Sequence, residues 1–276
     1  MPQFSPSMEP EQLTLPLIPL GGIAAFPAIP LNFEIGDEPS LAAAEAANAT
    51  DSFVMLLSLT EPVENDSYTA EQFYRVGTVA KIKQAVKTPE GQTRLLCEGY
   101  ARAELLALHR FGSCYMADVL CYIPEAESSH GLRGEALLRE AKRALGEMTA
   151  FIPNLTEDIT KAATAIESPG AFCDFVAANI LVRYEDKQAV LESFDPIERL
   201  ETTTVLIREE TELLVLEMAI HKEVRERVTH HQKEYYLREQ ARVIQEELGE
   251  DGDSEIDEYE RRIKAAELPP EVERSC

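Results

Sequence analysis

The spacing of apolar positions changes twice along this chain, and each change marks a different kind of element. In "LTLPLIPL", Leu13, Leu15 and Leu17 recur every second residue, the period of a strand with one buried face. Pro16 and Pro19 would confine that strand to an edge or a bulge. Residues 52–59, "SFVMLLSL", form a continuous apolar run suited to a buried strand. "FYRVGTVAKIKQAVKTPEGQTRLLCEGYARAELLAL" reads as a hairpin turning at Pro89-Glu90-Gly91, followed by a long bent strand broken at Gly99; residues 113–123 read as one more strand. A short Ala-rich helix with Ser40 as its N-cap is inserted among them. Residues 13–124 therefore predict a small β-rich domain, barrel-like or a folded-over sheet, with a disordered leader at 1–12.

After the polar stretch "PEAESSHGLRGE" the period becomes helical. Helices are expected over residues 132–148, after Pro153-Asn154, and over 169–182, with a turn-like piece at 184–194; together they predict a bundle over 125–220. Residues 197–248 then run for 52 positions without Gly or Pro, between Asp195-Pro196 and Gly249. As one helix this stretch spans roughly 78 Å at ~1.5 Å per residue. From Leu200 to Ile220 it is apolar on more than one side, as a segment completing the bundle should be. Beyond that it keeps only a thin stripe through Val224, Val228, His231 and Tyr235, and Glu and Arg dominate the other faces. Residues 249–276 open with an acidic run, nine of the fifteen residues from Glu246 to Glu260, and read as a solvated linker. The fold class is α+β: a β-rich domain, a helical bundle and a very long C-terminal helix.

Charge narrows the partners. The 26 basic and 50 acidic side chains give a formal charge of -24, which repels phosphate backbones and anionic membrane surfaces. Neither nucleic acid nor membrane is an expected partner. The five cysteines contain no C-x-x-C pair, so free thiols are expected. With no basic-then-apolar leader, a cytoplasmic location is expected.

Catalytic constellations are missing from the sequence. None of the thirteen glycines precedes a Lys, which removes the phosphate loop, and there is no G-x-S-x-G, no H-E-x-x-H and no Ser followed three residues later by Lys. His230 and His231 point ~100° apart on a helix and cannot chelate together. No catalytic, cofactor or metal residue is assigned. Two apolar groups remain as candidate contacts for polypeptide: the loop residues Ile23, Phe26, Ile29 and Leu31, and Tyr235, Tyr236 and Leu237 in the charged half of the long helix. For the loop the competing reading is a core-facing cover for the sheet.

The blocks "LPLIPLGGIAAFPAIPLNFEIGD" and "FYRVGTVAKIKQAVKTPEGQTRLLCEGYARAEL" resemble the amino-terminal domain of the Lon ATP-dependent proteases. "HKEVRERVTHHQKEYYLREQARVIQEELGE" with "YERRIKAAELPPEV" resembles the long helix leading to their ATPase module. The resemblance implies the non-catalytic, substrate-recognising and oligomer-supporting region of a protease of protein quality control, one that degrades misfolded, damaged and selected regulatory proteins. Its implied partners are unfolded polypeptides and further copies of the chain in a hexamer. ATP and Mg would serve the full-length parent and not this region. A free-standing substrate-binding adaptor and a structural coiled-coil protein stay open as alternatives.

Overall fold

The computed structural model describes residues 10–63, 67–89, 91–122, 131–152 and 157–265. Six strands come first: β1 (Pro10–Leu20), β2 (Pro30–Ile35), β3 (Phe53–Ser58), β4 (Val76–Lys87), β5 (Thr93–Phe111) and β6 (Cys114–Tyr122), with helix α1 (Glu38–Asn48) between β2 and β3. β1 pairs with β3, β3 with β4, β4 with β5, β5 with β6, and β6 with β1. Five strands thus close a ring, and β2 is added outside it along the first half of β5. Of the two arrangements that the succession of strands allowed, barrel-like or a folded-over sheet, the closed ring is the first.

β1 explains how a proline-bearing strand enters a ring. Pro10–Pro16 pair only with β6 and Leu17–Leu20 only with β3, so each half has one partner. Pro16 and Pro19 each lack an N–H, and a strand with one neighbour can spare it. The expectation of an edge is met locally, although the strand lies within the ring. Order also begins earlier than Leu13, because Pro10, Glu11 and Gln12 already face Tyr122, Cys121 and Leu120; the rest of the predicted leader, 1–9, lies outside the described residues.

β5 is not broken at Gly99. The strand runs through it and absorbs the bend by bulging: Ala80 faces Gly99 and Val79 faces Ala101, leaving Tyr100 as the extra residue. Glycine is needed there because the loop after β1 crosses the strand. A Cβ on Gly99 would sit 2.0 Å from the Phe26 carbonyl oxygen. Gly77 is similarly pressed against β3, where a Cβ would lie 2.3 Å from the Leu56 oxygen.

Helix α1 starts two residues before the expected cap. Asp37, not Ser40, takes the N-cap role, its carboxylate accepting from Ser40 N at 2.9 Å and Ser40 Oγ at 2.6 Å. α2 (Gly131–Thr149), α3 (Glu157–Ala165) and α4 (Pro169–Asn179) occupy the predicted helical stretches. The segment read as turn-like is a fourth helix, α5 (Tyr184–Glu192), with Glu185 and Asp186 in its first turn, where they complement the positive end of the helix dipole.

The long helix is α6 (Pro196–Ala265). Asp195 starts it by accepting from Ile197 N and Glu198 N at 2.8 and 3.0 Å, with Pro196 in the first turn, where its missing N–H costs nothing. The expected break at Gly249 does not occur, and the backbone continues helical through Gly249 and Gly252 to Ala265. One glycine inside a helix costs only about 1 kcal/mol relative to Ala, too little by itself to stop it.

Two compact units result, Met1–Leu214 and Val215–Cys276. In the first, one apolar cluster fills the barrel (Leu17, Met55, Leu57, Val79, Val119 among others) and a second lies between its wall and α1. A third joins the helices to one end of the barrel through Ala24, Phe26 and Val76, and takes in Leu200 and Ile207 of α6. Burial on α6 ends sooner than predicted: Leu213 and Leu216 are already exposed, as are Met218 and Ile220. In the second unit no residue with a described side chain is buried.

Candidate functional site

Barrel closure leaves an opening. Because Pro10–Pro16 pair on one side only, a gap separates the first half of β1 from β3. A cleft of about 680 Å³ occupies it, within the ~300 to 1,000 Å³ range of ligand pockets and at the mouth of a barrel, where such sites recur. Its floor is Leu13, Leu15 and Val79, residues of the barrel-filling cluster. Its walls include Phe53, Tyr100 and Phe111, with Met116 from β6.

Local structure presents the aromatic rings. Tyr100 is the bulged residue of β5, and a bulge re-aims the side chain it carries; the ring stands edge-on to Phe53, centroids 5.6 Å apart, and stays half exposed. Phe111 ends β5 at its turn into β6 and is 76% exposed. Two large aromatic rings stand in water beside an apolar cleft, an arrangement that marks interaction sites more often than cores.

The rim is acidic. Of the charged side chains lining the cleft there are two, Glu11 and Asp51. Just outside, Asp118 accepts from Thr14 Oγ1 at 2.6 Å and meets His109 Nε2 at 2.9 Å; the Thr14 hydroxyl first, then His109, hold its carboxyl below the usual carboxylate value. Lys81 holds its ammonium 5.2 Å from the centroid of the Phe53 ring. Cys121, at the base of the cleft, is buried, and burial together with the charge of Glu11 pushes its thiol up to about 11. It is no nucleophile.

Of the loop residues predicted from sequence, Phe26 is fully buried at the end of the barrel, and Ile29 packs against the same cluster. Leu31 packs against the wall beneath α1. The core-facing reading therefore describes Phe26, and the exposed-patch reading of that side chain is corrected. Backbone bonding fixes the loop: Ser58 Oγ donates to Ile23 O, Thr78 Oγ1 to Ala25 O, and Ala28 N to Gly99 O, at 2.8, 2.7 and 2.9 Å. Ile23 alone of the four is exposed. In the second unit Tyr235, Tyr236 and Leu237 are all exposed, and the Tyr236 hydroxyl is 3.3 Å from Gln240 Nε2. Four cysteines, Cys97, Cys114, Cys121 and Cys173, are buried free thiols.

A buried ionic cluster joins barrel to bundle. Arg102 of β5 forks onto Asp174 of α4 at 2.5 and 3.0 Å and donates Nε to Leu191 O. Arg199 of α6 approaches the same carboxylate at 3.3 Å and donates to Ser193 O and Phe194 O. Two cations share one anion, and the carbonyls at the C-terminal end of α5 supply the remaining negative potential. Burial first, then Arg102, lowers the Arg199 guanidinium to about 10. The cluster is a scaffold: it fixes how the helices cover the barrel end.

The comparisons agree with this architecture. Residues 14–209 match the model of the ATP-dependent protease La (LON) substrate-binding domain. A Lon protease of Heliobacterium modesticaldum is 36% identical over 95% of this chain, and one of Clostridioides difficile is 36% identical over 92%. The chain spans only about a third of the length of these relatives, 32% and 33%. Among solved structures, the N-terminal domain of a Mycobacterium avium complex Lon protease superposes with a TM-score of 0.56 at 21% identity, over 71% of this chain and 98% of that one; it shares the fold. The chain belongs to the Lon substrate-binding-domain family.

Proposed function

We propose that the chain receives non-native polypeptide at the mouth of its barrel for a Lon-type ATP-dependent protease. The observation that carries this reading is the cleft between β1 and β3, with apolar floor residues Leu13 and Leu15 and the exposed rings of Tyr100 and Phe111. Apolar and aromatic side chains are what a folded client hides and an unfolded one offers. The chain itself performs no chemistry. ATP hydrolysis with Mg and peptide-bond cleavage belong to the parts of the parent protease outside it, in the cytoplasm.

The second unit has a different use in this reading. Leu216, Ile220, Val224 and Val228 are exposed along one side of α6, together with Tyr235. Such a stripe supports pairing with further copies of the chain in the hexameric parent.

The experiment is suppression of aggregation of a chemically unfolded client, with Tyr100→Ser/Phe111→Ser beside the parent sequence. Both rings are at least half exposed, so the double variant keeps its circular dichroism spectrum and loses suppression. Suppression unchanged in the double variant removes the cleft from the mechanism.

A further inference from the structure

We infer that the cleft selects clients in which a large apolar side chain is flanked by Lys or Arg. The inference rests on the polypeptide-binding reading of this cleft and adds a charge rule to it. The lining carries Glu11 and Asp51 and no basic residue. The two come from different elements. Glu11 stands on β1 opposite Cys121, and Asp51 follows the end of α1 at the turn into β3. Both line the same cleft as Leu13 and Leu15, so a segment whose apolar side chain reaches that floor binds beside acidic side chains.

Neither rim carboxylate has an ion-pair partner among the described residues, in contrast to Glu34, Glu98 and Glu104 on neighbouring strands, which hold Arg94, Lys83 and Arg75. Lys81 is a cation placed beside the lining, over the Phe53 ring, and against it stand Glu11 and Asp51, so the mouth keeps a net negative charge for an incoming cation. Tyr100 adds a second attraction, because the face of an exposed phenol ring attracts a passing ammonium or guanidinium as Phe53 attracts Lys81. Conversely, acidic residues beside the apolar anchor meet like charge.

Fluorescently labelled twelve-residue peptides with one central Phe, flanked on each side by two Lys, two Ser or two Glu, are titrated against the full chain at low and high salt. The Lys-flanked peptide binds about five-fold or more tightly than the Glu-flanked one at low salt, as exposed charge pairs allow, and the advantage shrinks as salt shortens the screening length below ~10 Å. Glu11→Lys/Asp51→Lys reverses the order. Both side chains are exposed, and an unchanged urea midpoint verifies that the variant folds. Equal affinities for the Lys and Glu peptides in the parent sequence, or an unchanged order in the double variant, overturn the charge rule while leaving apolar capture standing. Failure of all three peptides to bind overturns both readings.

Discussion

Asp174 accepts both forks of Arg102, at 2.5 and 3.0 Å, across the boundary between β5 and α4, with both side chains almost wholly buried. Arg199 shares the same carboxylate. Removing the anion leaves two buried cations facing each other. Asp174→Ala is therefore expected to cost about 3 to 5 kcal/mol, which for a unit of this size lowers the melting midpoint by roughly 10 °C. The exposed pair of Arg143 with Glu140 is the contrast: Arg143→Ala leaves the midpoint within error. Thermal melts followed by circular dichroism measure both.

Two glycines predict opposite signs. Gly99→Ala drives a methyl to 2.0 Å from the Phe26 carbonyl, and backbone cannot step aside while Ala28 N holds the Gly99 oxygen. The variant should be poorly soluble or lose several kcal/mol. Gly146 lies inside α2 with open space around it, so Gly146→Ala should stabilise by about 0.5 to 1 kcal/mol. Urea denaturation of the pair reads the difference.

The loop that joins β1 to β2 separates core from surface within three residues. Phe26→Ser removes a fully buried ring and should cost about 3 to 5 kcal/mol or more. Ile23→Ser, at a side chain 39% exposed, should leave the urea midpoint near its parent value. Equal losses would contradict the placement of Phe26 at the barrel end.

Burial pushes the thiols of Cys97 and Cys173 up to about 12, from an ordinary value of 9.0. The folded value lies above the unfolded one, so these thiols contribute stability in full below about pH 9 and lose it progressively as pH rises from 9 toward 12. Below pH 9 they should resist a thiol reagent until urea unfolds the chain. Rapid labelling of the native protein at neutral pH would contradict their burial.

Much of the fold was legible in the sequence because period carries it. Leu13, Leu15 and Leu17 on one face of β1, the apolar run of β3 and the Gly- and Pro-free stretch after Pro196 each announce their element. Helix α5 reads only as a turn-like piece because nine residues give too few turns for a period, and its first-turn acids Glu185 and Asp186 are the available helix signal. Phe26 was ambiguous for a different reason. An apolar residue in a loop is greasy whether it faces water or core, and only the hydrogen bonds from Ser58, Thr78 and Ala28 decide which.

The cleft was not legible at all. Leu13, Asp51, Tyr100 and Phe111 meet through the partner exchange in β1 and the bulge in β5; Pro16 and Gly99 mark where these irregularities fall and do not say which side chains they bring together. The Arg102, Asp174 and Arg199 cluster was hidden likewise, since isolated charges in a sequence look like surface. Tyr100, next to Gly99 in a strand whose register shifts there, is the one local signal that pointed toward the cleft wall.

Docking of non-native polypeptide at the barrel mouth is open to site-specific photocrosslinking. A photoreactive phenylalanine analogue is placed at Phe111, in the cleft wall, or at Leu132, which is more exposed still at 86% against 76% but stands on α2 away from the cleft lining. An unfolded client should crosslink strongly from position 111 and weakly from 132, and the same client when folded should crosslink from neither. Crosslinking from 132 as strong as from 111, or none from 111, would contradict docking at the barrel mouth.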